Sequence, residues 1–232
     1  SWSRGLGDVY KRQPLTSIKG LGDAAMEQII DNRPFNTIER FIFNDDIVYS
    51  KLNKKALDVL IRSGAMKELM DDRFTGGKHF WSAVAVDRPR KEKNLLENID
   101  KYAPEGEFSD EEKIEYLSEL TGVFPLHLVL TDRVKANLEE KFIPPISEYD
   151  PDLQVVWFIP RKVIVKKTKN GKDYYLVEVV DSNSVLTTIK CWGVKPEKDR
   201  VHVNRPYLAK LQYDEQWGFS TRSIRHTFRL LA

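Results

Sequence analysis

Two stretches of the chain carry residue types whose spacing could do chemistry, and in both the chemistry is the holding of a phosphate polymer. The first is LTSIKGLGDAAMEQII, residues 15–30. Gly20 and Gly22 flank Leu21 in a spacing suited to a tight turn that needs positive φ and leaves the backbone bare. Asp23 is placed to cap the helix that follows, and Met26, Ile29 and Ile30 share one face of it. Amides at such a turn and helix start have no intrahelical acceptor and form an anion site, with Lys19 adding a charge. A related pattern returns in LNKKALDVLIRSGAM, residues 52–66, where Lys54 and Lys55 open a helix and Gly64 takes the turn position.

The second stretch is VIVKKTKNGKDYYLVEVVDSNSVLTTIKCWG, residues 163–193. Single-stranded nucleic acid is held by cations along a groove and by flat rings on which bases stack. Arg161, Lys162, Lys166, Lys167, Lys169 and Lys172 supply the cations here. Tyr174, Tyr175 and Trp192 supply rings, with Trp217 and Phe219 further on. Strand alternation sends Tyr174 and Tyr175 to opposite faces, so at most one of them meets a base.

No catalytic constellation is legible. His79, His127, His202 and His226 are scattered without metal-ligand spacing. Asp45-Asp46 and Asp71-Asp72 are adjacent pairs in turns, a poor template for two-metal chemistry. Gly76-Gly77-Lys78 lacks the spacing of a phosphate loop and reads as a turn. The one cysteine, Cys191, excludes a disulfide framework and a paired-cysteine zinc site. Neither a metal nor a cofactor is therefore expected in this chain.

Stepping from sites to the elements that hold them, the hydrophobic period divides the chain. Residues 14–68 read as helices, with Ile38, Phe41 and Ile42 forming one buried stripe and Leu57, Leu60 and Ile61 another, the latter in a helix capped by Asn53. Residues 69–150 read as a helical and irregular connector. It contains a capping box at Ser109 and Glu112 and a further helix over 132–141. From Leu153 the period becomes two, and five strands are expected: 155–166, 174–181, 186–192, 207–213 and 218–224. Asn170-Gly171 marks the first hairpin. Five short strands with one longer insert between the third and fourth suit an OB-type barrel over residues 151–232. The expected class is α+β, an all-helical module followed by a connector and a five-stranded barrel.

Charge follows the same division. From Gln154 onward there are 15 basic and 7 acidic residues, whereas residues 66–150 hold 12 basic and 19 acidic. A basic module joined to an acidic one points to a local polyanion site. No run is apolar enough to span a membrane and no signal peptide is visible, so a cytoplasmic location is expected.

The phrases SIKGLGDAAMEQIIDNRPFNTIERF and KLNKKALDVLIRSGAMKEL resemble the tandem helix-hairpin-helix module of the bacterial and phage polymerase III alpha subunit, the C-family replicative DNA polymerase. The basic strand region resembles that family's OB domain. The resemblance implies that Lys19, Gly20, Leu21, Gly22, Lys54, Lys55 and Gly64 hold duplex phosphates. It likewise assigns single-stranded template to the cations and rings of the second stretch. It implies a DNA-directed DNA polymerase that uses Mg2+, with catalytic residues upstream of Pro14, and primer–template DNA as partner. The sliding clamp and other replisome subunits are the further partners it implies. The competing expectation is a non-catalytic nucleic-acid-binding or recombination protein built from the same modules. Residues 1–13, SWSRGLGDVYKRQ, resemble a translated sequencing adapter and are read as a non-native scar.

Overall fold

The structure, a computed structural model, describes residues 18–231. The adapter-like segment and the apolar turn expected over 15–17 lie outside the described residues. The chain divides into two units, with the boundary between Val123 and Phe124. The expected connector 69–150 is accordingly shared. Its first part packs into the helical core through Phe74, Phe80, Leu95 and Leu120. Its last part contributes Ile146 to the core of the sheet unit.

The helical unit contains α1 (Asp23–Asn32), α2 (Ile38–Ile42), α3 (Lys54–Arg62), α4 (Gly77–Trp81), α5 (Glu92–Tyr102) and α6 (Asp110–Thr121). Three of the starts carry a side-chain cap. Thr37 accepts from the Arg40 amide and Asn53 from the Ala56 amide. Ser109 and Glu112 exchange both bonds of the capping box. At α1 the cap is Gly22 rather than Asp23, which lies one residue inside the helix and contributes its charge to the first turn. The stripes expected on α2 and α3 are buried: Ile38, Phe41, Leu57 and Leu60 are fully sequestered, each contributing roughly 1.5–3 kcal/mol of transfer free energy. On α1, however, only Ile29 of the expected face is buried, with Met26 partly covered and Ile30 exposed. After α4 the backbone widens into one π-helical segment, Ser82–Val86, whose small side chains Ala83, Val84 and Ala85 are buried against α3 and α5. Gly76 is required by contact rather than by turn geometry, since a Cβ there would stand 2.6 Å from the Gly106 backbone.

The second unit carries α7 (Asp132–Glu140), then β1 (Val155–Lys167), β2 (Asp173–Val180), β3 (Thr187–Trp192), β4 (Tyr207–Lys210), β5 (Gln212–Asp214), β6 (Gly218–Arg222), a short α8 (Ile224–Thr227) and β7 (Phe228–Leu230). Seven strands are present among the described residues where five were expected, in the order β5-β6-β3-β2-β1-β4-β7. The expected fourth strand is divided at Leu211, whose amide turns to the Gln154 carbonyl, and β7 is an addition at the C-terminal end. The sheet curls on itself. β1 gives its first half to β4 and its second half to β2, with a bulge between Pro160 and Lys162 that lets one strand serve both. β3 and β6 run parallel, and β6 pairs with β5. Inside lie Val156, Phe158, Val177, Val179, Ile189, Cys191 and Ala209.

Candidate nucleic-acid interface

The outer face of the curled sheet assembles one row of side chains across four strands. Lys166 of β1 is opposite Tyr174 of β2. The Tyr175–Cys191 pairing places Tyr174 beside Trp192 of β3, and Trp192 is opposite Arg222 of β6. The Tyr174 and Trp192 rings touch, with centroids 4.7 Å apart and planes 31° off parallel. Both rings are half-buried, while Lys166 and Arg222 are exposed. At that distance and tilt the rings lie partly over one another, so the row is a stacked apolar pair with a cation at each end. One row further along, Lys190 reaches over the Trp217 ring at 5.4 Å, and Trp217 is 65% exposed.

The other expected single-strand residues separate into three groups. Lys169 and Lys172 stand exposed on the hairpin, whose turn is closed by Gly171 at φ 75°. Lys167 is exposed but paired with Asp173 across the hairpin at 2.9 Å. Lys162 is exposed at the far end of the face, opposite Glu178. Arg161 occupies the bulge, its guanidinium 5.0 Å over the Phe124 ring and donating to Asn204, so it is held within the unit. Tyr175 is corrected outright. It is 4% exposed, faces the interior, and donates its hydroxyl to the Asp199 carbonyl at 2.7 Å. Its burial pushes the phenol above the usual tyrosine range. Cys191 beside it is sealed as well, its thiol pushed up to about 12 by burial.

Arg222 and Lys190 were missed by the reading of the sequence. Strand alternation alone puts Lys190 on the Trp192 face, two residues along β3, whereas the place of Arg222 depends on the parallel β3–β6 pairing, a contact between distant segments that no local period announces.

In the helical unit, Lys19, Gly20 and Gly22 are exposed at the hairpin before α1. Gly20 has φ +88° and packs toward Val59 of α3. The turn is closed by the Leu21 amide on the Ile18 carbonyl, and the Lys19 amide anchors it to Leu120 of α6. The amides of Gly20 and Gly22 have no acceptor among the described residues, which leaves donors facing outward at a helix start. Leu21 is half-buried against the core and its amide is taken by Ile18, so, against expectation, it offers a phosphate no donor.

The second hairpin differs. Gly64 at φ +81° ends α3, its amide bonded to Ile61 and the next amide, that of Ala65, to Leu60. This pairing is the Schellman closure of a helix. It engages the Gly64 donor and removes it as a phosphate ligand. A single 3-10 turn, Lys67–Leu69, follows instead of a full helix. Lys54 and Lys55 are exposed at the opposite end of α3, about 13 Å from Gly64 by the rise of the helix. Arg62 is held by Asp58 and lies over the Tyr116 ring.

Compared with known families, residues 9–75 match the model of the helix-hairpin-helix motif. The match begins inside the segment read above as a scar and covers the hairpin at Gly20 and all of α1–α3. No curated protein matches the chain. Among the described residues no group of three or more His, Cys, Asp or Glu side chains could hold a metal ion. The Mg2+ implied by the polymerase resemblance is assigned by it to residues upstream of Pro14, outside the described ones. No helix among the described residues is long and apolar enough to cross a membrane.

Proposed function

We propose that this chain holds DNA as the corresponding region of a polymerase III alpha-like replicative polymerase does, gripping duplex through the hairpin at Gly20 and single-stranded template through an OB-type barrel. The observation that carries the reading is the row Lys166, Tyr174, Trp192 and Arg222. Bases stack on the joined rings, while the flanking cations and the hairpin lysines Lys169 and Lys172 take the phosphates. Stacking on a ring face is indifferent to base identity, so the strand is held without sequence selection, as a template must be. At Gly20 and Gly22 the outward amides and Lys19 receive one phosphate of a duplex, a contact equally blind to sequence. The part proposed for the chain is binding and positioning; nucleotide transfer, the sliding clamp and the other replisome subunits belong to the polymerase reading as a whole.

Fluorescence anisotropy of the full chain with oligothymidylate, a duplex and a primer–template, each across a salt series, tests the proposal. The expected result is binding to all three, tightest for primer–template and falling steeply with salt. No binding to any of them at low salt overturns it.

A further inference from the structure

A second surface of the sheet unit has a different chemistry. Between α7 and β7 runs a groove of about 650 Å3 whose floor is aliphatic: Val134 and Leu138 from the helix, Ile143 just beyond it and Leu208 from the sheet, with Leu230 at the strand edge and its side chain turned to the core. Among the described residues its polar lining includes three cations, Arg133, Lys141 and Arg229, and no carboxylate. On α7 the helical spacing sets Arg133, Asn137 and Lys141 along one stripe, four residues apart.

β7 is the end strand of the sheet. The Leu231 amide bonds to the Pro206 carbonyl at 2.8 Å, and Arg229 is opposite Leu208. In an antiparallel ladder the backbone groups alternate between the two edges. Arg229 therefore turns its N–H and C=O to β4, and Leu230 turns its own away from the sheet, on the edge that borders the groove. An unpaired strand edge beside an aliphatic trough is the arrangement that accepts an added strand.

We propose that this groove docks an extended acidic peptide segment of a partner protein. The segment adds to the free edge of β7, sets aliphatic side chains on the floor at alternate positions, and places carboxylates against Arg133, Lys141 and Arg229. A nucleic-acid strand fits less well, because the floor offers no ring on which a base could stack. The proposal is independent of the DNA-holding reading, which rests on the opposite end of the strand order.

The test is anisotropy of the full chain with a fluorescein-labelled octapeptide alternating leucine and aspartate, against the same peptide with lysine in place of aspartate. Saturable binding of the acidic peptide alone is expected. The double variant Lys141→Glu, Arg229→Glu changes exposed positions and should lower its affinity about tenfold, while Lys198→Glu, outside the groove, leaves it unchanged. Circular dichroism confirms that both variants are folded. Absence of saturable binding overturns the proposal, as does equal loss in both variants. Displacement of the peptide by oligothymidylate, with the double variant losing oligonucleotide affinity, reassigns the groove to nucleic acid and also overturns it.

Discussion

The rings of Tyr174 and Trp192 lie 4.7 Å apart and 31° off parallel on neighbouring strands of the sheet's outer face, a distance at which one ring partly covers the other. Among the described residues neither the hydroxyl nor the indole nitrogen of this pair has a hydrogen-bond partner, so what the pair offers is its uncovered ring surface. Tyr174→Ala and Trp192→Ala should each weaken oligothymidylate binding by about 1–3 kcal/mol, the usual worth of a stacked base. Because each ring supports the other, the double variant should lose less than the sum. A double-mutant cycle read by anisotropy checks this, and unchanged affinity in both single variants would remove the face as a binding site.

Adjacent lysines on β1 should behave differently. Lys166 is opposite Tyr174 within the row, whereas Lys167 is paired with Asp173 at 2.9 Å. Lys166→Glu should weaken single-strand binding and reduce the salt slope by about 0.7, the value for one phosphate contact on a single strand. Lys167→Glu should do less, since its charge is already partly neutralised by Asp173. The reverse ranking in a salt titration would mean that the strand follows the hairpin edge and not the ring face.

Two glycines give a matched comparison of backbone strain and phosphate binding. Gly20 and Gly64 both have strongly positive φ, at +88° and +81°, and neither site crowds an added Cβ below 3.4 Å. Alanine at either should cost about 1–2 kcal/mol of stability, from the conformation alone. Among the described residues the Gly20 amide has no acceptor, whereas that of Gly64 bonds to Ile61. Gly20→Ala should therefore lower duplex affinity while Gly64→Ala leaves it unchanged, both measured well below the thermal midpoint. Equal losses on duplex would place both hairpins on the DNA.

These differences show where the sequence was readable. Two of the three expected caps were legible because each depends on residues three apart: Asn53 and Ser109 bond as their spacing implied, whereas Asp23 lies one residue inside its helix behind Gly22. The strand period placed Tyr174 and Tyr175 on opposite faces but did not say which face was interior. That was decided by Asp199, which follows β3 in the chain and accepts the Tyr175 hydroxyl. The division of the fourth strand depended on a bond from Leu211 back to Gln154, 57 residues earlier in the numbering. Gly64 illustrates a limit of another kind. A glycine at the end of a helix has the same local signature whether it closes the helix on itself or opens it to a ligand, and only the hydrogen bonds of Gly64 and Ala65 distinguish the two.

Asp58 gives a prediction for acid stability. Its carboxylate accepts two bonds from Arg62, at 2.8 and 2.7 Å, and one from the Trp81 indole at 2.7 Å. Burial alone pushes the carboxyl up, but the bonds from Arg62 and Trp81 outweigh it and hold the group below the usual carboxylate range. A carboxyl whose folded value is depressed contributes stability that is present above its unfolded value, near ~3.9, and is lost as pH falls through the folded value. Asp58→Asn keeps the shape and removes the charge. At neutral pH it should cost about 1–2 kcal/mol, the lower part of the range for charged hydrogen bonds, because the Asp58 side chain keeps 29% exposure. As the solution is acidified below ~4, the wild-type midpoint should fall toward that of the variant, since protonation removes the same charge. Thermal melts of both proteins across an acid series test this. Curves that stay parallel down to the lowest pH would show that Arg62 is held by the Tyr116 ring beneath it, with the carboxylate contributing nothing that titrates.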